Sequence, residues 1–433
     1  MSSRSMIDRT IAPAVHPVPL MPIPGVETIM LPNGIRLVLL RSNEIDRITR
    51  ITLSWNGGAF DALNQPAAEL AARLARSGGA NIKPDEMADL LDFNGAHLAS
   101  ELSSHNNSMT LLALNRSIDT LLSAVIDTLN NPMIDGDEFR SARSRMAAER
   151  ATALESVTTH ADELNTLLSF GPTHPAARTY SPDQINNVTL DEVTAAHISL
   201  KGRQIPVVYV AGNLSESEIN LITGRLSQLD CRPTDLGCIN VIDASPAESV
   251  RQFVEVPHSL QAAVKITSPT INRSHPDYEA VRIMTTALGG YFGSRLMSNI
   301  REEKGLTYGI NAGVYGYREG AFITVSCQCD NKYVEQVLTE VENEIERLAT
   351  EPMGQDELEA VRQTMTGSLL STLNTPFNIM DYYILQRHVL TPPDYFSRQQ
   401  EALMRATPES IRDTARKYLT GRRRLISVAG RKI

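Results

Sequence analysis

A short apolar segment near the middle of the chain reads VVYVAGN over residues 207–213, and the end of the chain repeats its pattern as LISVAGR over residues 425–431. Val210 and Val428, which begin the shared Val-Ala-Gly motif, are 218 residues apart. A fixed spacing between similar segments is the signature of an internal repeat. This pair therefore indicates that the chain contains one structural unit twice.

Two further pairs of segments keep nearly the same spacing. The Pro-Met and Asp-Glu pairs of residues 131–139 (NPMIDGDEF) recur after 220 and 219 residues in residues 351–358 (EPMGQDEL). Residues 189–192 (TLDE) precede residues 407–410 (TPES) by 218 residues. The offsets predict two units of about 200 residues, an ordinary domain size. We expect an extended, proline-rich arm over residues 1–25, an N-terminal domain over 26–230 and a C-terminal domain over 231–433.

Within the first unit, strand patterns precede helix patterns. Residues 35–40 (IRLVLL) follow a Pro-Asn-Gly turn, and residues 51–55 (ITLSW) alternate, so both segments are predicted strands. Pro66 is placed to begin a helix, and a long helix is predicted over residues 136–170. Strands joined by hairpins and followed by helices are typical of α+β proteins. We expect two similar domains, each a mainly antiparallel sheet with helices packed on one face, with a polar cavity between them.

Composition excludes several classes of protein. The chain has 433 residues with 41 Lys and Arg against 50 Asp and Glu, a net charge of −9, which argues against a general nucleic-acid binder. Apolar residues make up 42%, so the chain is not wholly disordered. No apolar run is long enough to span a bilayer. Four cysteines do not make a disulfide scaffold, and we expect a cytoplasmic protein.

Three motifs resemble those of the pitrilysin and mitochondrial-processing-peptidase family of zinc metallopeptidases. They are LPNGIR at residues 31–36, LGGYFGSRL at residues 288–296 and REEKGLTY at residues 301–308. The resemblance extends from about residue 26 to residue 433. It implies the two-domain α+β fold expected above, and it implies that any active site is built from residues of both domains.

The family's zinc motif, H-x-x-E-H on a helix of the first domain, is degenerate in this chain. Two His four residues apart bind Zn²⁺ from one helical face, and the Glu activates the bound water. The matching residues are ELAAR at positions 69–73, so Glu69 and Arg73 replace the two His and Ala72 replaces the Glu. Alanine cannot accept a proton. Glu69 and Arg73 are spaced to form an ion pair on one helical face.

The resemblance places the family's third zinc ligand, a Glu on a later helix, at about Glu149. This residue is either a relic of the ligand or an ordinary solvated helix residue. We expect no metal and no cofactor in this chain, because one carboxylate cannot hold zinc without the other ligands.

Arg301 and Tyr308 match the Arg and Tyr that the family's second domain contributes to the active site. The resemblance implies that they bind the substrate carbonyl and the transition state, for which guanidinium and phenol donors are suited. Alternatively, Arg301 pairs with a nearby Glu and Tyr308 is a half-buried strand residue.

Together these residues predict a non-catalytic subunit of a heterodimeric zinc peptidase. A homologous partner subunit would carry H-x-x-E-H and the zinc, and this chain would contribute Arg301 and Tyr308 to hydrolysis of a peptide substrate. The alternative is a homodimeric scaffold or peptide-binding protein without protease activity. A third possibility, an active peptidase with an unorthodox metal site, is the weakest, because no two His in the chain are four residues apart.

Overall fold

The computed structural model describes residue 10 and residues 21–202, 205–231, 242–389 and 391–432. The predicted N-terminal arm lies largely outside these residues, and its described part, 21–25, forms neither helix nor strand. The predicted boundary between domains at residues 230 and 231 adjoins residues 232–241, which also lie outside the described part, so it stays a prediction. Among the described residues no helix is long and apolar enough to cross a membrane.

The described residues of the first half form one sheet and eight helices. These elements are β1 Glu27–Met30, β2 Arg36–Arg41, β3 Ile48–Asn56, α1 Gln65–Leu74, α2 Pro84–Phe93, β4 His97–Leu102, β5 Asn106–Leu114, α3 Ile118–Asn130, α4 Gly136–Ala153, α5 Val157–Phe170, α6 Pro182–Asn186, α7 Leu190–Gly202, β6 Val207–Gly212 and α8 Glu216–Leu226.

The described residues of the second half form another sheet and six α-helices. These elements are β7 Val250–Glu255, β8 Gln261–Thr270, α9 Tyr278–Gly289, a π-helical turn Met297–Glu303, β9 Thr307–Gly316, β10 Ala321–Asp330, α10 Val334–Thr350, α11 Gln355–Ser371, α12 Pro376–His388, α13 Tyr395–Arg405, α14 Pro408–Tyr418 and β11 Leu425–Gly430.

The two sheets share one strand order. The first runs β1-β2-β6-β3-β5-β4 and the second β7-β11-β8-β10-β9, so they differ by the extra edge strand β1. In each sheet the first shared strand pairs in parallel with the last one, β2 with β6 and β7 with β11, and the other pairs are antiparallel. The Val-Ala-Gly motifs lie in the equivalent strands β6 and β11. The predicted α+β class with two mainly antiparallel sheets is confirmed.

Each sheet packs on helices of its own half through one face. In the first half the buried side chains of α3 and α8 pack on that face, and in the second half those of α9, α10 and α14 do. Alternation along the strands explains this arrangement, because successive side chains point to opposite faces. Leu37 and Leu39 of β2 face the first core, whereas Val38 and Leu40 face away from it.

The opposite face of each sheet is covered by a helix from the other half, which the sequence patterns do not predict. Ile379 and Met380 of α12 pack on Val38 and Val207 of the first sheet. In return, the apolar side of α5, with Ala161 and Leu164, packs on the second sheet. The two halves are thus joined by a reciprocal exchange of helices.

This exchange also explains why the long helix predicted over residues 136–170 is wrong. The chain breaks between Ala153 and Val157, so that α4 stays with the first half and α5 reaches the second sheet. Ser156 provides the signal for the break, because its hydroxyl accepts a hydrogen bond from the Thr158 backbone N–H at 3.2 Å and begins a new helix.

Arg50 of β3 makes the main polar link to the exchanged helix α12. Its guanidinium donates to both carboxylate oxygens of Asp381, at 3.0 and 2.6 Å, and to the Phe377 carbonyl at 2.7 Å. We expect Arg50→Ala to lower the free energy of unfolding by about 1–2 kcal/mol, since charge-assisted bonds to a half-exposed partner are of moderate strength. Urea unfolding would measure the change, with the exposed Arg36→Ala as the control. Equal stability of both variants would contradict this role of Arg50.

Candidate functional site

The degenerate zinc-motif positions converge around one guanidinium group. Packing of Leu70 on α1 against Met146 on α4 brings the two helices together. Arg73 then donates to Glu69 Oε1 at 2.8 Å and to Glu149 Oε2 at 2.7 Å. Partial burial opposes the charged form, but the hydrogen bonds from Glu149 and Glu69 prevail and raise the pKa of Arg73. Glu149 is therefore neither an isolated solvated residue nor a metal ligand in this structure, but a partner of Arg73.

Tyr180 completes this group, and the sequence does not point to it. Its hydroxyl donates to Glu69 Oε2 at 2.7 Å, so both oxygens of Glu69 are engaged. Arg150 holds Tyr180 in place by donating to its carbonyl at 2.7 Å and by stacking its guanidinium 5.5 Å from the ring centre. Burial raises the pKa of Tyr180, which keeps the phenol a neutral donor. We call Glu69, Arg73, Glu149 and Tyr180 the Arg73 cluster.

The residues of the Arg73 cluster do not fit a zinc ion. A catalytic zinc needs three protein ligands of neutral imidazole or carboxylate type, with a fourth position open to water. Here a permanent cation lies between the cluster's two carboxylates, and the buried methyl group of Ala72 stands at the position of the general base. Within the described part of the chain no group of three or more His, Cys, Asp and Glu is arranged to hold a metal ion.

A small cavity of about 30 Å³ lies beside Ala72, between α1 and α7, and is lined in part by His197 and Lys201. Burial and the nearby Lys201 charge lower the pKa of His197 to about 4, although a hydrogen bond with the Ala71 backbone opposes the shift. His197 is therefore neutral in the folded chain at pH 7. It lies on the inner side of α1 and is not a component of the Arg73 cluster.

The buried His197 predicts a loss of stability in mild acid. An unfolded histidine takes up a proton below pH 6.5, whereas folded His197 stays neutral down to about pH 4. The unfolded state therefore gains protons first, and the free energy of unfolding should fall by up to about 3 kcal/mol between pH 6.5 and pH 4. Urea unfolding at several pH values should show a shallower dependence for His197→Asn. The exposed His97→Asn serves as the control, and identical slopes for all three proteins would contradict the assignment.

Arg301 and Tyr308 lie together on the second half, at the junction of the π-helical turn and β9. Gly305 has a φ of +62°, a left-handed conformation that turns the chain from Arg301 back toward the strand. The buried side chains of Ile300 and Leu306 fix both ends of this turn.

The Arg301 guanidinium is held by aromatic rings rather than by a carboxylate. It lies 4.6 Å from the ring centre of Phe292 and 5.3 Å from that of Tyr308. Its nearest carboxylate oxygen is that of Glu302, 3.6 Å from Nε, beyond hydrogen-bond distance. Tyr308 is 90% exposed, so the alternative of a half-buried strand residue is wrong. We call Phe292, Arg301 and Tyr308 the Arg301 patch.

The Arg301 patch can bind a peptide carbonyl in chemical terms. The guanidinium offers N–H donors that no acceptor in the described residues occupies, and the Tyr308 hydroxyl offers another. Among the described residues no hydrogen bond or ion pair joins the Arg301 patch to the Arg73 cluster. The structure thus assembles each of the two predicted groups separately.

The family model described as peptidase M16 inactive domain matches residues 187–365, which include Arg301 and Tyr308 but none of the zinc-motif positions. An uncharacterized zinc protease of Streptomyces coelicolor is 27% identical over 174 residues, or 39% of this chain and 37% of that protein. The matched region therefore spans well under half the length of that relative.

Two solved structures share the fold. The peptidase M16 inactive domain from Pseudomonas fluorescens superposes with a TM-score of 0.84 at 21% identity, over 94% of this chain and 98% of that one. The periplasmic protease PqqL from Escherichia coli superposes with a TM-score of 0.78 at 15% identity, over 98% of this chain but 49% of that one. The family match and the shared fold confirm the resemblance found in the sequence motifs, and the chain carries a peptidase M16 inactive domain.

Proposed function

We propose that this chain is the zinc-free subunit of a heterodimeric peptidase, and that its Arg301 patch positions peptides for hydrolysis by a homologous zinc-bearing partner. The Arg301 patch is the observation that carries the proposal. Arginine and tyrosine side chains with a purely structural role usually satisfy their polar atoms within the fold. Here both are exposed or stacked, and their donors are available to a ligand.

The Arg73 cluster supports the second part of the proposal, that another chain supplies the metal. Its three polar side chains around Arg73 form a closed network that uses both oxygens of Glu69. Ala72, at the position of the general base, cannot take a proton from water, and Arg73 cannot bind a metal that would activate one. Hydrolysis therefore requires a zinc site elsewhere, which the partner would provide in the same cellular compartment, for which we propose the cytoplasm.

The match to PqqL favours an assembly of two such units. This chain superposes on 49% of that protease, so a protein of this fold carries about as much chain again beside the matched unit. We propose that a separate subunit takes the place of that additional part. The edge strand β9, which bears Tyr308, is placed to pair with an extended peptide.

The second candidate is a scaffold or peptide-binding protein without protease activity. Its support is the fold alone, since a chain of complex III from Candida albicans superposes with a TM-score of 0.73 at 13% identity. The two candidates differ in the role of the Arg301 patch, because a scaffold has no need of free guanidinium and phenol donors.

Reconstitution tests the proposal. The isolated chain should not cleave peptides, because nothing at the Arg73 cluster activates water. An equimolar mixture with a homologue that carries H-x-x-E-H, taken first from the neighbouring gene, should cleave peptides and lose that activity with a chelator. A partner that is fully active without this chain would contradict the proposal and favour the scaffold.

A further inference from the structure

A cavity of about 680 Å³ lies between the two halves of the chain, apart from the Arg73 cluster and the Arg301 patch. Its lining comes from the β4–β5 turn, the β8–α9 loop, the β9–β10 turn and the C-terminal part of α12. Its volume falls within the range of about 300–1,000 Å³ that is usual for small-molecule sites. The exchanged helix α12 therefore closes a space large enough for a ligand.

Two arginines line this cavity without a carboxylate partner. Arg273 donates from Nε to the Tyr278 hydroxyl at 3.3 Å, and Arg318 donates from Nε to the His388 carbonyl at 3.3 Å. Both acceptors are neutral. Within the described ranges neither arginine forms an ion pair, and their terminal Nη groups donate to no protein acceptor. Two half-buried guanidinium groups are thus left with unused donors at one cavity.

The carboxylates near the cavity are already committed to other groups. Both oxygens of Asp381 accept hydrogen bonds from Arg50, at 3.0 and 2.6 Å. Glu319 lies with Oε2 3.0 Å from His105 Nε2, and its side chain is 4% exposed. The charges that remain uncompensated at this cavity are therefore positive, and a partly desolvated cation is costly unless an anion pairs with it.

A buried histidine adds an unused polar atom to the same wall. His388 is 9% exposed, and its Nε2 forms a 3.0 Å hydrogen bond with the Ser54 hydroxyl. Its Nδ1 is buried and has no hydrogen-bond partner among the described residues. Buried polar atoms without partners are rare in folded proteins, and they often mark the place of a ligand or water.

We propose that this cavity binds a small organic oxyanion, with carboxylate or phosphate groups, through the free guanidinium groups of Arg273 and Arg318. The planar guanidinium fork matches the oxygen pairs of both groups and binds them with charge-assisted hydrogen bonds. The site goes beyond the proposed peptidase role, because none of its residues belongs to the Arg301 patch or the Arg73 cluster. A bound anion would also bridge the β8–α9 loop and the β9–β10 turn across the interface with α12.

Titration calorimetry of the whole chain in low-salt buffer tests the proposal with citrate, inorganic phosphate and neutral glycerol as probes. We expect at least one oxyanion to bind with a Kd of about 1 mM or tighter, and glycerol not to bind. The double variant Arg273→Gln/Arg318→Gln should bind that oxyanion more than about tenfold more weakly. The double variant Arg116→Gln/Arg145→Gln, which removes two exposed arginines, should bind it as the wild type does.

A second measurement keeps the test independent of how the variants fold. Phenylglyoxal modification of the wild-type chain, read by mass spectrometry, should spare Arg273 and Arg318 when the oxyanion is present, but not Arg116 and Arg145. Preferential binding of citrate or of phosphate would assign the ligand to the carboxylates or to the phosphate esters. The proposal is wrong if neither oxyanion binds at about 10 mM, roughly ten times the expected Kd, if both double variants lose binding equally, or if the ligand protects all four arginines alike.

Discussion

In the reconstituted heterodimer, Arg301→Ala should lower kcat/KM for peptide cleavage by about 10²–10³-fold. The loss of one donor to a developing oxyanion typically costs about 3–4 kcal/mol of transition-state stabilisation. Arg301 is available for this role because it is stacked between Phe292 and Tyr308 and has no carboxylate within hydrogen-bond distance among the described residues. Initial rates over a range of peptide concentrations, at a fixed ratio of the two subunits, would measure the change.

Tyr308→Phe should reduce the same constant by a comparable factor, since it removes only the hydroxyl donor of an exposed ring. Tyr315→Phe on the same strand and the exposed Arg145→Ala are matched controls and should leave cleavage unchanged. A fall in kcat without a matching change in KM would place the contact in the transition state. Wild-type cleavage by both Arg301→Ala and Tyr308→Phe would make the Arg301 patch structural and support the scaffold instead.

The second prediction concerns metal binding at the Arg73 cluster. The wild-type chain should hold no stoichiometric zinc after dialysis, because the Arg73 guanidinium stands between the two carboxylates that could bind it. The triple variant Glu69→His, Ala72→Glu, Arg73→His should bind about one zinc per chain, since α1 and α4 already bring these positions close to Glu149. Elemental analysis after dialysis would measure both values.

Glu149 provides the control for this prediction. Adding Glu149→Ala to the triple variant should abolish stoichiometric zinc, because two His alone leave the ion without its third protein ligand. The Tyr180 hydroxyl, which in the wild type donates to Glu69, remains available as an outer partner that orients a ligand. About one zinc per chain in the dialysed wild type would contradict a cluster in which Arg73 occupies the place of the metal.

Local patterns in the sequence are sufficient for the fold class. Strand alternation, the turn residues and the spacing of 218–220 residues between similar segments indicate two α+β units, because these signals depend on neighbours within a few residues. The Glu69–Arg73 ion pair is predictable for the same reason, since one helical turn sets its geometry. The single helix predicted over residues 136–170 is wrong because the cap at Ser156 outweighs an otherwise continuous helical pattern.

The sequence by itself determined that this chain has two similar units, lacks the zinc ligands at positions 69 and 73, and retains Arg301 and Tyr308. Only the tertiary structure decided that Glu149 and Tyr180 close around Arg73, that α5 and α12 exchange sheets, and that two unpaired arginines meet at one cavity. Within the Arg73 cluster alone, the hydrogen bonds join residues as far as 111 positions apart. Their geometry depends on how whole elements pack, and no local propensity or periodicity encodes that packing.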